Sequence, residues 1–162
     1  MKRRYDTALY SSRIEKINNL ITDCCIGVDV IVGFPGEDED DFLVTRSFLK
    51  NLDISYLHVF TFSDRVNTEA ACLNNKVSKE EKSYRSKTLH MISDEKRFEF
   101  QEKCLKQIRP VLFERSVNGM NQGYTDNYIK VQVAADMNYE NKLLEVTLNN
   151  NPGPYMSALV AE

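Results

Sequence analysis

The sequence predicts an α/β segment followed by an all-β segment. In the first half, two apolar runs rich in β-branched residues alternate with stretches of helical periodicity. In the last third, short runs of period-two alternation are separated by turn residues. The 162 residues are enough for one ordinary domain or two small ones. We therefore expect two domains, 1–105 and 106–162.

Helix and strand alternate in the predicted first domain. Asp6 is placed to cap a helix, and the apolar run 25–34 predicts a strand buried on both faces of a parallel sheet. The acidic run 37–41 fits the first turn of a second helix, and the run 56–62 predicts a second strand. This order indicates parallel strands joined by a right-handed crossover.

A long polar helix is predicted next, beginning at the capping box of Ser78 and Glu81 and running to about Ile108. A complete (β/α) barrel needs about eight strands, so two cannot close one. The segment is therefore either a small open sheet or one piece of a larger barrel.

The last third predicts a small antiparallel β-barrel. Its strand candidates are 111–114, 128–133, 143–148 and 155–160. Asn118-Gly119 and the segment 121–123 are predicted turns.

Composition and charge limit the function classes. The net charge of −3 argues against a strongly basic nucleic-acid clamp, although a local RNA-binding patch is compatible with it. No apolar run approaches the roughly 20 residues that a membrane span needs, and no signal-peptide core follows the basic start. We expect a cytoplasmic protein without a membrane partner.

The cysteines and histidines predict no metal site in this chain. Its four cysteines, at 24, 25, 72 and 104, form no CxxC, and its two histidines are far apart in sequence. Reduced, mostly buried thiols are the expectation.

The ends of the two predicted strands are the candidate ligand sites, because ligands bind at the carboxyl ends of parallel strands. Gly33 and Gly36 allow close backbone approach or positive φ. Asp29, the charged residue within its strand, is either a structural acceptor or a site residue. Arg65 suits recognition of a carboxylate or phosphate, with a surface salt bridge as the alternative. His58 is more typical of a core histidine than of a catalyst.

Several motifs resemble the tRNA methylthiotransferases in order and spacing. They are MKRRYD at 1–6, DVIVGFPGE at 29–37, HVFTFSDR at 58–65 and TEAA at 68–71. The segment GYTDNYIKV at 123–131 resembles the subfamily that acts on threonylcarbamoyladenosine, the MtaB type. Relatives that act on isopentenyladenosine share the first motifs, so the subfamily depends mainly on this last segment.

The resemblance implies a longer parent enzyme. Such a parent has an N-terminal domain with one 4Fe-4S cluster, a radical S-adenosylmethionine (radical-SAM) barrel whose CxxxCxxC loop holds the second, and a C-terminal TRAM domain that binds RNA. This chain then corresponds to a partial radical-SAM (β/α) barrel segment, 1–105, followed by a TRAM-like barrel, 106–162. The parent methylthiolates carbon 2 of threonylcarbamoyladenosine in the tRNA anticodon stem-loop. Because this chain lacks CxxxCxxC, we expect it to be inactive alone and to bind neither cluster nor S-adenosylmethionine, with no catalytic residue of its own.

The resemblance also implies site residues. The expected cofactor-binding residues are Ile31, Val32, Gly33, Phe34, Pro35, Gly36, Glu37, Ser63 and Arg65. The expected substrate or RNA contacts are Arg3, Arg4, Tyr5, Arg115, Tyr124, Asn127, Tyr128 and Lys130. Tyrosine rings can stack on unpaired bases, although core packing is the alternative for Tyr128.

Two other functions stay open. The first is a stand-alone RNA-binding or scaffolding module without catalysis, and the second is a small hydrolase using Asp29, Glu37 and His58. A partial parallel sheet also has exposed edges and an uncovered apolar face, so we expect dimerisation, domain swapping or rearrangement.

Overall fold

The computed structural model describes residues 4–134, 137–150 and 153–161. The described residues form two compact units. One, the α/β unit, comprises residues up to Thr22 together with Ile26–Arg97. The other, the barrel unit, comprises Asp23–Cys25 together with residues from Phe98 onward.

The first part of the chain has the predicted order of helix, strand, helix and strand. Its elements are α1 Thr7–Leu20, β1 Gly27–Val32, α2 Glu39–Asn51, β2 Tyr56–Thr61, a 3-10 turn Glu69–Cys72 and α3 Lys79–Lys103. Side-chain caps start the helices. Asp6 accepts a hydrogen bond from the Leu9 amide, and Ser78 and Glu81 form the predicted capping box through reciprocal bonds of 3.1 Å.

β1 and β2 pair in parallel, from Gly27 opposite Tyr56 to Val32 opposite Thr61. One face of this sheet packs against the helices in the core of the α/β unit, which includes Val28, Val32, Phe42, Leu49, Leu57 and Leu89. On the other face Asp29, Ile31, His58 and Phe60 are exposed. The prediction that β1 is buried on both faces is therefore wrong for this chain, because no described element covers that face.

The second part is a closed five-stranded barrel, ordered β3-β4-β5-β7-β6. Its strands are β3 Ile108–Val117, β4 Met120–Thr125, β5 Lys130–Ala134, β6 Leu143–Asn150 and β7 Met156–Val160. Four neighbouring pairs are antiparallel, as predicted, but β5 and β7 run parallel. An odd number of strands in a ring cannot alternate throughout, so one parallel pair is unavoidable.

One predicted turn is present and the other is a strand. Asn118 and Gly119 both have positive φ, 52° and 74°, and connect β3 to β4 as a tight hairpin. The segment 121–123 lies inside β4, where Gly123 pairs with Phe113. A side chain at Gly123 would collide with the Leu112 carbonyl, so this glycine allows close backbone approach beside a register shift in β3.

Candidate cofactor turn and RNA-binding face

Five of the residues predicted to contact a cofactor, 33–37, form a compact turn after β1, here called the cofactor turn. Gly33 and Gly36 have φ values of 77° and 90°, in the region that favours glycine. The Gly36 amide donates to the Asn75 carbonyl at 2.9 Å, and the Phe34 ring meets the Phe62 ring edge-on at 5.2 Å. The turn therefore has a defined shape that depends on two glycines.

Both carboxylate oxygens of Glu37 bind within the α/β unit. Oε2 accepts a hydrogen bond from the Gly33 amide at 3.0 Å. Oε1 pairs with Nη1 of Arg85 at 2.8 Å, and the same Nη1 donates to the Glu37 carbonyl at 3.0 Å. The Glu37 side chain therefore stabilises the turn by binding both the Gly33 amide and Arg85.

The other predicted cofactor residues occupy different environments. Val32 is 1% exposed in the helix-covered core, whereas Ile31 is exposed beside Phe60 on the open face. Pro35 is buried, and Ser63 and Arg65 lie exposed after β2. Ile31 therefore precedes the turn with an exposed side chain, whereas the Val32 side chain is buried and its carbonyl accepts a hydrogen bond from the Phe62 amide at 2.8 Å.

The cofactor turn suits a nucleoside better than a metal ion. Gly36 is exposed, Gly33 is buried against the Lys82 side chain, and Ile31 and Phe60 supply apolar surface. Across the described ranges, no three His, Cys, Asp or Glu side chains come together in a way that could hold a metal ion. The described residues therefore do not fit an iron–sulfur cluster.

The predicted substrate contacts near the start of the chain are partly described. Arg3 lies outside the described residues, and Arg4 is exposed. The Tyr5 ring stacks on Tyr10 at 5.9 Å. Burial, then the neighbouring Tyr5 and Asp29, raises the pKa of the Tyr10 phenol. Tyr10 is therefore neutral at physiological pH, and its ring supports Tyr5.

The hydrolase alternative needs Asp29, His58 and Glu37 to act together. Asp29 and His58 are side by side in the β1–β2 register, on the open face. Glu37 instead binds Gly33 and Arg85, and His58 meets the Tyr56 ring at 4.9 Å. The geometry does not gather these three residues into one site.

Four of the predicted RNA contacts lie together on the outside of the barrel. Tyr124 is opposite Lys130 in the β4–β5 register, and the Tyr128 ring lies 4.9 Å from the Tyr124 ring. Arg115 donates from Nε to Gln122 Oε1 at 2.8 Å and from Nη2 to the Tyr155 hydroxyl at 3.1 Å. The Lys130 ammonium lies 5.8 Å from the centre of the Tyr155 ring.

We call this surface the tyrosine face; it comprises Arg115, Gln122, Tyr124, Tyr128, Lys130 and Tyr155. Sequence reasoning missed Gln122 and Tyr155. The available signal for Gln122 was the alternation of β4, which places it outside the barrel between inward neighbours. Tyr155 lies in the loop before β7, and only the fold brings it to Arg115 and Lys130.

Tyr128 has an unfavourable backbone conformation and an exposed side chain. Its φ is 67°, a region that bulky residues rarely adopt, and its side chain is 66% exposed. The core alternative for this tyrosine is therefore excluded. A strained, exposed aromatic ring beside a second tyrosine is typical of a binding surface.

Asn127 does not belong to the tyrosine face. Its Nδ2 donates to the Asp23 carbonyl at 3.2 Å, and its Oδ1 accepts from the Thr125 hydroxyl at 2.7 Å. Arg109 also pairs with Asp23 at 2.6 Å. Burial raises the pKa of the adjacent Cys104 thiol, which therefore stays protonated at neutral pH. These groups tie the 23–25 segment to the barrel.

In the part of the chain that the structure describes, no helix is long and apolar enough to cross a membrane. A scan against protein-family models gave no match.

Curated relatives match most of the chain. It is 31% identical to the threonylcarbamoyladenosine tRNA methylthiotransferase MtaB of Bacillus subtilis, over 96% of this chain and 36% of the relative. The MtaB protein of Aquifex aeolicus is 43% identical over 66% of this chain and 25% of its own length. The tRNA-2-methylthio-N(6)-dimethylallyladenosine synthase of Wolinella succinogenes is 32% identical over 100% of this chain and 37% of its own. The chain thus spans roughly a third of these relatives, and it belongs to the tRNA methylthiotransferase family.

Proposed function

We propose that this chain is the C-terminal, RNA-contacting part of a radical-SAM tRNA methylthiotransferase of the MtaB type. Its substrate is threonylcarbamoyladenosine next to the anticodon, which the whole enzyme methylthiolates at carbon 2. The identity of 43% with one protein named for this substrate is the observation that carries the proposal. The proposal also places the protein in the cytoplasm, where tRNA is modified.

The two parts of the chain have different roles in this proposal. Residues 1–105 form the last part of the radical-SAM barrel, and residues 106–162 form the TRAM-like domain. S-adenosylmethionine, when bound, supplies the methyl group and the deoxyadenosyl radical. The exposed backbone of Gly36 and the apolar side chain of Ile31 are the proposed contacts for its nucleoside end. Because the sequence contains no CxxxCxxC motif, we expect that this chain alone does not carry out the reaction.

The tyrosine face is the proposed contact for unpaired anticodon-loop bases. Tyr128 and Tyr155 offer rings for stacking, and Arg115 and Lys130 offer cations to phosphates. From residue 106 onward, five Lys or Arg are balanced by six Asp or Glu. Phosphate neutralisation is therefore local, and binding by this chain alone is weak and salt-sensitive.

The test is a fluorescence-anisotropy titration of the chain with an anticodon stem-loop that carries threonylcarbamoyladenosine, at low and then moderate salt. Wild type binds saturably, and Lys130→Ala and Tyr128→Ala each weaken binding about tenfold; for Tyr128 this is near the lower end of the roughly 1–3 kcal/mol expected for loss of one stacked base. Lys142→Ala is the matched control, because Lys142 also lies over a barrel tyrosine, 5.9 Å from the Tyr139 ring, outside the tyrosine face.

Equal effects of Lys130→Ala and Lys142→Ala would rule out the tyrosine face as the RNA contact. Absence of binding at low salt would contradict an RNA role for the isolated barrel. The alternative of a stand-alone RNA-binding module is favoured by the self-contained closed barrel. Sequencing the DNA upstream of this coding region separates the two, since a methylthiotransferase encodes CxxxCxxC in the same reading frame.

A further inference from the structure

Arg85 on α3 is the most deeply buried charged side chain among the described residues of the α/β unit. It is 2% exposed, and its guanidinium lies against the cofactor turn. Nη1 bonds to both the carbonyl and the Oε1 atom of Glu37, at 3.0 and 2.8 Å. The guanidinium also lies 5.4 Å from the centre of the Phe42 ring and 3.6 Å from Glu39.

In the described residues, the hydrogen bonds of Arg85 to the turn go to Glu37. The second oxygen of that carboxylate, Oε2, accepts the Gly33 amide at 3.0 Å. Gly33 has a φ of 77°, so the direction of its amide depends on what holds it there. The contacts therefore form a relay from the helix, through a sheltered carboxylate, to the left-handed glycine at the end of β1.

Arginine is suited to this position in ways that lysine is not. A buried guanidinium needs a counter-charge, which the partly buried Glu37 supplies, and its planar group can also stack on Phe42. Arg85 Nε makes no hydrogen bond to any described group, although it is buried. An unsatisfied buried N–H is unfavourable, so this side chain is placed for its contacts with Glu37 rather than for complete hydrogen bonding.

We infer that Arg85 is a positioning residue for the cofactor turn, acting through Glu37 to hold the Gly33 amide in its observed direction. Glu37 is accordingly an internal brace of the turn and not a direct ligand of the cofactor. The link to S-adenosylmethionine rests on the function proposed above, whereas the relay itself stands on these contacts alone.

The test is nuclear magnetic resonance on the 15N-labelled 162-residue chain, following exchange of the Gly33 amide hydrogen. Arg85→Met and Glu37→Ala each accelerate Gly33 exchange about tenfold, the expected effect of losing a hydrogen bond to a charged acceptor. Gly36 is the internal reference, because its amide bonds to Asn75. Arg97→Met is the matched control, since Arg97 lies on the same helix and is 49% exposed.

Arg85→Lys is a milder second variant, for the case that Arg85→Met does not fold. It keeps the charge but loses the planar fork, so Gly33 exchange falls between wild type and Arg85→Met. The relay is overturned if Gly33 exchanges at the wild-type rate in Arg85→Lys and Glu37→Ala, or if Arg97→Met has the same effect.

A second readout uses S-adenosylhomocysteine as the probe, titrated against the Gly33 and Gly36 amide signals. Contrary to the sequence-based expectation that this chain binds no cofactor alone, the proposed role of the turn predicts saturable shifts for wild type and an affinity about tenfold weaker for Arg85→Lys. If wild type does not bind the probe, the proposed cofactor role of the turn fails, while the exchange rates still decide whether Arg85 positions it.

Discussion

The barrel and the α/β unit differ in how completely their strands are paired by backbone hydrogen bonds. The five barrel strands close into a ring, so each strand has a neighbour on both sides. β1 and β2 pair only with each other within the described residues, and one face of their sheet exposes Ile31 and Phe60. The barrel is thus complete by itself, whereas the α/β unit has edges and a face that another element can cover.

The largest expected effect on stability comes from a substitution that creates a cavity in the barrel core. Phe113 is 0% exposed and contacts Tyr139. Phe113→Ala lowers the free energy of unfolding of the barrel by about 3–5 kcal/mol. This free energy is measured by urea unfolding, with circular dichroism and the nuclear magnetic resonance signals of barrel amides as the two probes. Leu112→Ala, at a 49% exposed neighbour, is the control and changes stability by no more than about 0.5 kcal/mol. A loss below about 1 kcal/mol for Phe113→Ala would contradict a self-contained barrel.

An intermediate effect concerns assembly through the open sheet. We predict that the isolated chain forms dimers through the β1–β2 face or edges, because exposed apolar surface and unpaired strand groups favour association. Light scattering across a concentration series measures the mass. Phe60→Lys shifts the dimer dissociation constant upward by at least about tenfold, because a charge replaces a buried contact. Leu159→Lys, at an exposed position on the barrel, leaves it unchanged. A monomer at every concentration would refute the prediction.

The smallest effect is at the start of α3. Hydrogen bonds from Ser78 lower the pKa of the Glu81 carboxyl below its ordinary value of 4.5. A carboxyl whose pKa is lower in the folded state stabilises that state above its unfolded pKa. The contribution is lost as pH falls through the folded pKa. We therefore expect the first turn of α3 to fray below about pH 4.5, seen as a lower protection of the Ser78 amide against exchange, relative to its intrinsic rate at the same pH. Glu81→Gln should remove this pH dependence; persistence of the same profile would assign it to another group.

Local signals in the sequence predicted the element starts well. The caps at Asp6 and Ser78 and the hairpin at Asn118 depend on residues within a few positions, so the pattern contains the needed information. Gly123 was misassigned to a turn because its reason is the backbone of β3, which passes close by only in the folded barrel.

Long-range contacts explain what was missed at the sites. Asn127 turns inward to Asp23, 104 positions earlier in sequence, and Glu37 binds Arg85, 48 positions later. Nothing in the sequence distinguishes Arg85 from the other basic residues of a polar helix. The predicted positions at Tyr124, Tyr128 and Lys130 do lie together, since one hairpin carries all three.

The place of β7 in the ring has a consequence for partly folded forms of the barrel. β7 pairs with β5 on one side and β6 on the other. Until β7 docks, β5 and β6 each have an unpaired edge. A partly folded chain without β7 in place is therefore the form of the barrel most prone to edge-to-edge association.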